Sequence, residues 1–354
     1  MGRKSMLSKS QLIAAGFAVF EATKLHRLVE PWTRGQGAIL MFHHVRPWVE
    51  HAFAPNRLLE ITPDFLDAVL TRVSALGFDI VSLDEALSRI GDPAARPFIA
   101  LTFDDGYKDF AIHALPVLER HNAPFTLYVT TGYADRSARL WWVELEEAIR
   151  ALPSIDVIAG DRHFIATTES AEQKAQAFEA LYGLLRGGPE EVLLDTVAEL
   201  ARLANIDARD LVENLCLDWS GLEQIAKHPL ATIGVHTLTH PMLAKHDISL
   251  VHYELAESRR LLEEKLGQEV GHLAYPVGDP TSAGPREFAL ASELRFTSAV
   301  TTRPGMIFPE HDRYRMALPR LSINGMWQKL EMVEVLLSGA PFALWNRGRH
   351  VSAA

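Results

Sequence analysis

A single cysteine, Cys216, stands among 354 residues. It has no partner for an intramolecular disulfide, and a multi-cysteine zinc site is excluded. A lone thiol of this kind reads as a small core or helix residue rather than a nucleophile. An excess of positive charge is missing too: 45 Asp and Glu outnumber 35 Lys and Arg, for a net charge of -10. Such a surface repels phosphates and excludes nucleic acid as the main partner. No run approaches the roughly 18 apolar residues of a membrane-spanning helix. The nearest, Leu12 to Phe20, follows Lys4 and Lys9 and leads into Glu21, Lys24, His26 and Arg27 without a convincing cleavage site. It reads as an amphipathic helix that packs on the domain or rests on a membrane surface, not as a signal peptide. The expected compartment is the cytoplasm, with peripheral membrane contact through this N-terminal helix. Tandem repeats and low-complexity linkers are absent as well.

What is present is ordinary for a globular enzyme, at 48% hydrophobic and 23% charged residues. Gly37 to Val45 reads as a buried first strand ending in two histidines. Pro63 opens a helix whose apolar positions Phe65, Leu66, Val69, Leu70 and Val73 have helical spacing, up to Gly77. Strands over Phe78–Ser82, Pro97–Phe103 and Pro124–Thr130 alternate with helices over Asp84–Ile90 and Phe110–His121. Such alternation predicts an α/β fold with parallel strands. From Leu140 to about Asp218 the pattern turns mostly helical, with strand signal only at Asp156–Ala159 and His163–Ala166. This stretch reads as an insertion forming a lid or one wall of a groove, with Trp141 and Trp142 as packing residues. The alternation resumes with strands at Leu230–Val235, His272–Pro276, Phe296–Val300 and Leu318–Ile323, and a helix over Leu250–Leu266.

Two short stretches carry chemistry. Leu101-Thr102-Phe103-Asp104-Asp105-Gly106-Tyr107 is an apolar run ending in paired carboxylates, where α/β folds place their reactive groups. One aspartate could bind a metal while the other takes a proton, although Asp-Gly alone is also a common turn. His236-Thr237-Leu238-Thr239-His240 sets two imidazoles four residues apart just past a strand, a spacing that lets both face one way on a helical turn. Two histidines with a carboxylate suit zinc and tolerate cobalt or manganese, and Asp104 or Asp105 is the obvious third donor. By contrast, His246, His252 and His272 read as surface or packing residues. Glu254, Glu257, Glu263 and Glu264 with Arg259, Arg260 and Lys265 read as a solvated helix face.

With these motifs the chain resembles the polysaccharide deacetylases of the nodulation-type chitooligosaccharide deacetylase group, from about Gly37 to Ile323. Thr102-Phe103-Asp104-Asp105-Gly106 is similar to that family's first motif, His236-Thr237-Leu238-Thr239-His240-Pro241 to its second and Tyr275-Pro276-Val277-Gly278 to its third. The resemblance implies a distorted (β/α) barrel with fewer than eight strands over 36–325, interrupted by a helical insertion at about 140–218. Residues 1–35 would form a helical leader, and 326–354 a C-terminal helix and tail. It also implies a divalent metal, zinc before cobalt or manganese, on Asp105, His236 and His240. Asp104 would be the general base, the Val277 N–H an oxyanion donor, and Tyr275 and Tyr107 would contact substrate.

Two family features are absent. Ala274 stands where the third motif usually has an arginine that orients the catalytic aspartate, and Leu321-Ser322-Ile323 lacks the C-terminal histidine that supplies the general acid. Arg320 could reach the first place. His43 in Phe42-His43-His44-Val45 resembles the N-terminal histidine of members acting on poly-N-acetylglucosamine and offers a general acid. His44 should point away, since strand side chains alternate. Asp279, Arg286 and Glu287 could contact sugar. The implied reaction is hydrolysis of an acetamide on an amino-sugar oligomer or polymer. Two alternatives stand beside it: a small amide or cyclic imide as substrate, and a degenerate glycan-binding domain.

Overall fold

The computed structural model describes Gly16, Phe20 and residues 22–351. Apart from Gly16 and Phe20, the Leu12–Phe20 segment lies outside the described residues. Eight parallel strands form the main sheet: β1 (Gly37–Phe42), β2 (Asp79–Val81), β3 (Phe98–Phe103), β4 (Phe125–Val129), β5 (Ala231–Val235), β6 (His272–Ala274), β7 (Ser298–Val300) and β8 (Leu321–Ser322). β1, β3 and β4 are buried at every position, as unbroken apolar runs covered on both faces must be.

The spatial order is β7-β6-β5-β4-β3-β1-β8. β2 stays off this path: Asp79–Val81 pairs with Phe98–Ala100 of β3, while Leu101–Phe103 pairs with β4. The sheet curls until its edges meet, where the Leu318 N–H donates to Ala299 O (3.0 Å) and the Thr301 N–H to Leu318 O (2.9 Å). The result is a distorted (β/α) barrel with seven strands on its circuit, fewer than eight as the motifs implied.

The helices follow their sequence signals. Pro63–Ala75 is capped by Thr62 and buries Phe65, Leu66, Val69, Leu70 and Val73. Ile248–Leu266 is capped by Asp247 and ends at Gly267, whose φ of 66° suits glycine. Two expectations change. β1 stops at Phe42, and His44–Val45 instead pairs with Glu60–Ile61, because the Asp109 carboxylate accepts from the Val45 N–H (3.3 Å) and faces His44 Nδ1 at 2.5 Å. The Phe110–His121 helix begins with a wider π turn over Phe110–Ala114 before Leu115–Arg120. Pro116 has no N–H with which to continue the usual ladder.

The insertion consists of helices Trp141–Ala151, Ala171–Gly187, Glu190–Leu203 and Ala208–Leu215 with an antiparallel hairpin of Ser154–Ala159 and Arg162–Thr167. It has an apolar core of its own, including Leu145, Leu181, Leu193, Val197 and Leu200. Its far end returns to the barrel at the first motif, where the Leu217 N–H donates to Gly106 O (2.9 Å). C-terminal helix Leu330–Leu337 lays Val333 and Leu337 into the barrel's outer core. Among the described residues no helix is long and apolar enough to cross a membrane.

Gly234 in β5 shows how tightly the barrel interior is filled. A Cβ there would overlap the buried ring of Tyr128 and press on His272 O. Gly234→Ala is expected to cost about 1–3 kcal/mol through overpacking, read as a lower urea midpoint with an unchanged slope.

Candidate active site

Three strand ends meet at one point. Asp104 and Asp105 follow β3, His236 follows β5, and Val277 lies just beyond β6. Asp105 and Gly106 both take left-handed backbone (φ 71° and 68°), as do Thr237, His240 and Val277 (φ 64°, 64° and 60°). Left-handed geometry is unfavourable for residues with a Cβ, and most of all for a β-branched one such as Val277 or Thr237. Its concentration in the three motifs marks where the chain is bent to serve a site.

The segment His236–His240 is therefore a strained loop, not the helical turn that its spacing suggested. Glu254 holds it, and this corrects the solvated-face reading of that residue. The carboxylate is buried and accepts from the Leu238 N–H (2.8 Å), the Thr239 N–H (2.8 Å) and the Thr239 hydroxyl (2.6 Å). Without it, two loop amides would be left unpaired. No periodic pattern on a helix could have shown that need.

Asp105 Oδ1 lies 3.5 Å from His236 Nε2 and 3.5 Å from His240 Nε2. His236 donates its Nδ1–H to Ala274 O (2.8 Å), so its Nε2 turns a bare lone pair inward. Burial holds both imidazoles below the ordinary histidine range, hence neutral. Burial, with the adjacent Asp104 charge, pushes the Asp105 carboxyl up to about 8. Asp105 Oδ1 has no hydrogen-bond donor at all, a costly condition for a buried carboxylate. A carboxylate oxygen and two neutral imidazoles, all within 4.8 Å of one another, fit a borderline divalent cation.

Asp104 faces the other way. Arg320, fully buried just before β8, grips it with both terminal guanidinium nitrogens, Nη1 to Oδ1 and Nη2 to Oδ2 at 2.7 Å each. Arg320 also donates to Thr301 O (3.0 Å) and the Thr102 hydroxyl (3.1 Å). Burial alone would raise the Asp104 carboxyl, but the positive charge of Arg320 outweighs it and holds the group down to about 2. His43 Nε2 stands 4.0 Å from Asp104 Oδ2, and burial lowers that imidazole to about 4. His44 points away and stacks on Tyr107, ring centres 3.6 Å apart.

The other expected residues divide. Tyr275 is removed from the substrate-facing set: its ring is fully buried against Phe288 and its hydroxyl donates to Met316 O (2.9 Å). Tyr107 is also fully buried, with its hydroxyl beside Asp105. It backs the site rather than lining its mouth. Val277 is partly exposed, and its carbonyl accepts from the Thr302 hydroxyl (2.6 Å). Asp279 pairs with Arg186 of the insertion (3.1 Å), Arg286 donates to Leu243 O (3.0 Å), and buried Glu287 accepts from the Gly284 N–H (2.8 Å). These three serve the framework. Tyr133 and Trp142, which sequence patterns did not single out for the site, lie against His240 with ring centres at 6.3 and 4.8 Å.

A family model described as polysaccharide deacetylase matches residues 91–292, more than half of the chain. The chain belongs to the polysaccharide deacetylase family. No curated protein matches it in sequence. Among solved structures it is similar to the Streptococcus pyogenes deacetylase PplD in complex with acetate, at 18% identity and a TM-score of 0.54, covering 84% of this chain and 97% of that one. IcaB from Ammonifex degensii matches at 16% identity and a TM-score of 0.53, over 86% and 97% of the two chains. A de-N-acetylase from Aggregatibacter actinomycetemcomitans matches at 13% identity and a TM-score of 0.52, over 84% and 99%. At these identities the likeness is one of fold. His43 and Arg320 both fall outside the stretch that the polysaccharide deacetylase model matches, yet the barrel brings both to Asp104.

The buried Arg320–Asp104 pair has a stability signature. In Arg320→Met the Asp104 carboxylate would stay buried without a partner, at a cost of about 3–5 kcal/mol near neutral pH. The folded Asp104 carboxyl titrates near 2, below its unfolded value of about 3.9. The pair's contribution is therefore present above about pH 4 and lost as pH falls toward 2. Urea titrations of both proteins should show a gap at pH 7 that narrows through this window.

Proposed function

We propose that this polysaccharide deacetylase is a divalent-metal-dependent hydrolase that removes N-acetyl groups from an amino-sugar oligomer or polymer and releases acetate. One observation carries the reading: a buried, donor-less Asp105 oxygen faces the Nε2 atoms of two neutral imidazoles, that of His236 bare because its Nδ1–H is spent on Ala274 O, next to a second carboxylate kept ionised by Arg320. A divalent cation on Asp105, His236 and His240, zinc before cobalt or manganese, would supply Lewis acidity toward an acetamide at neutral pH.

The chain's own groups account for the proton movements. Water adds its oxygen to the acetyl carbon, the C–N bond breaks, and the amine nitrogen gains a proton, so that acetate and a free amine leave. Asp104 would accept the water's proton. A carboxylate held near 2 is a weak base that takes a proton only from acidified water, so its role depends on an occupied Asp105–His236–His240 group. His43 is neutral at physiological pH and would relay that proton to the departing nitrogen as general acid. The Val277 N–H would face the oxyanion.

An extended substrate is favoured by a cavity of about 360 Å³ between the 46–60 segment and the insertion. None of the proposed catalytic residues lines it, but Trp142, packed on His240, joins it to the site, so that it would take a neighbouring sugar and not the reacting one. His44, Trp48, Asn56, Trp142 and Arg150 line it, and aromatic faces with flanking polar groups suit a sugar chain better than a small imide. Chitooligosaccharide-like polymers of N-acetylglucosamine are the substrates to test first.

Asp105→Ala and His236→Ala are each expected to lose both bound zinc, measured by metal analysis, and acetate release from N-acetylglucosamine oligomers. Undiminished turnover by metal-stripped wild type would overturn the assignment. In His43→Ala we expect kcat to fall about 10²- to 10⁴-fold while zinc content stays at the wild-type level. Loss of zinc in that variant would instead make His43 a structural or ligating residue.

A further inference from the structure

Helix Leu25–Thr33 is amphipathic with its faces reversed. Leu25, Leu28, Val29 and Trp32 share one stripe at i, i+3, i+4 and i+7, the spacing that normally turns toward a core. Here the stripe is turned to solvent, with Leu28 and Trp32 68% and 74% exposed. The inward residue is His26, buried, with Nδ1 3.1 Å from Phe20 O. The polar residues are spent on the protein: Arg27 pairs with Glu334 (3.2 Å), and Glu30 with Arg34 (3.3 Å).

A second helix, Ala340–Trp345, packs alongside. The Thr33 hydroxyl donates to Ser338 O (2.6 Å), and Gly339 lies so close to Thr33 that any Cβ there would strike its carbonyl. This second helix adds Leu344, 71% exposed, to the apolar face. Lys24, Arg347 and Arg349 stand exposed around it without a carboxylate partner among the described residues, and Arg349 shares a small cavity with Trp32. The same sign prevails in the sequence: residues 1–36 hold six Lys and Arg against two Glu, in a chain whose net charge is -10.

We propose that this face docks on an anionic lipid bilayer. Leucine and tryptophan side chains on an in-plane helix would enter the headgroup boundary, and the surrounding cations would meet lipid phosphates. A second copy of the chain would set the same cations against each other, which disfavours self-association through this face. Leu25–Thr33 leads into β1 at Gly37, whereas the site lies past β1's other end at Phe42. Docking therefore leaves the deacetylase cleft open to a polymer in solution.

The experiment is co-sedimentation of the full chain with vesicles of phosphatidylcholine, alone or mixed with phosphatidylglycerol. The wild type should sediment with the mixed vesicles only, and less as salt rises. Leu28→Glu with Trp32→Glu should lower binding at least about tenfold, since it removes apolar anchors and adds charge. Lys24→Glu with Arg347→Glu, which leaves the apolar stripe intact, should lower it as well. Both variants should keep the wild-type far-ultraviolet circular dichroism, which separates lost docking from lost folding and does not depend on the deacetylase assignment. Absent or charge-independent sedimentation of wild type would overturn the proposal. So would a dimer in sedimentation velocity that Trp32→Glu dissociates.

Discussion

Two carboxylates on consecutive residues, both buried, cannot both stay ionised without help, and the structure around Asp104 and Asp105 is arranged to separate them. The left-handed turn at Asp105 and Gly106 sends the two side chains apart. Asp104 goes to a guanidinium that grips both its oxygens; Asp105 goes to two neutral imidazoles, which bring it no positive charge. One carboxylate is thereby held ionised, while the other is left needing a cation. Much of the architecture follows from this division. Arg320 reaches Asp104 from the start of β8, which lies beside β1 and so two strands from β3, while Leu318 just ahead of it bonds the end of β7.

The parts legible in the sequence were those that depend on local pattern. Unbroken apolar runs gave the parallel strands, Pro63 marked a helix start, and the loss of alternation after Leu140 gave the insertion. The three motifs could be placed at strand ends for the same reason. What escaped were the long-range bonds that no motif marks. Glu254 looks like its neighbours on a charged helix, yet it accepts from two amides of the second motif's loop. Tyr275 sits inside a motif, but its hydroxyl is claimed by Met316 O, 41 residues away. The helical spacing of His236 and His240 was misleading, because two left-handed residues bring their rings together without a helix.

The insertion does more than add mass. It leaves the barrel after β4 and returns to bond Gly106, so the first motif is clamped from outside the barrel as well as from within. Trp142 brings an indole against His240 from the same insertion. Tyr107, Tyr133 and Trp142 each have a buried polar atom without a partner in this neighbourhood, together with His240 Nδ1. Such a cluster is expensive for folding alone. It gathers behind one imidazole, at the point where chemistry is proposed.

The barrel also explains how the chain can lack an arginine in its third motif. Strand ends of a closed barrel converge on a common axis, so a group needed at Asp104 can come from several strands. Ala274 ends β6 and spends its carbonyl on His236; Arg320 arrives from β8 and meets Asp104 with ideal bidentate geometry. His43 enters from the end of β1 by the same logic, on the same carboxylate, from the opposite side of the sequence. Both lie beyond the stretch that the family model matches. A motif comparison along the chain sees two losses at these places. Around the axis a guanidinium and an imidazole both stand beside Asp104, delivered by other strands.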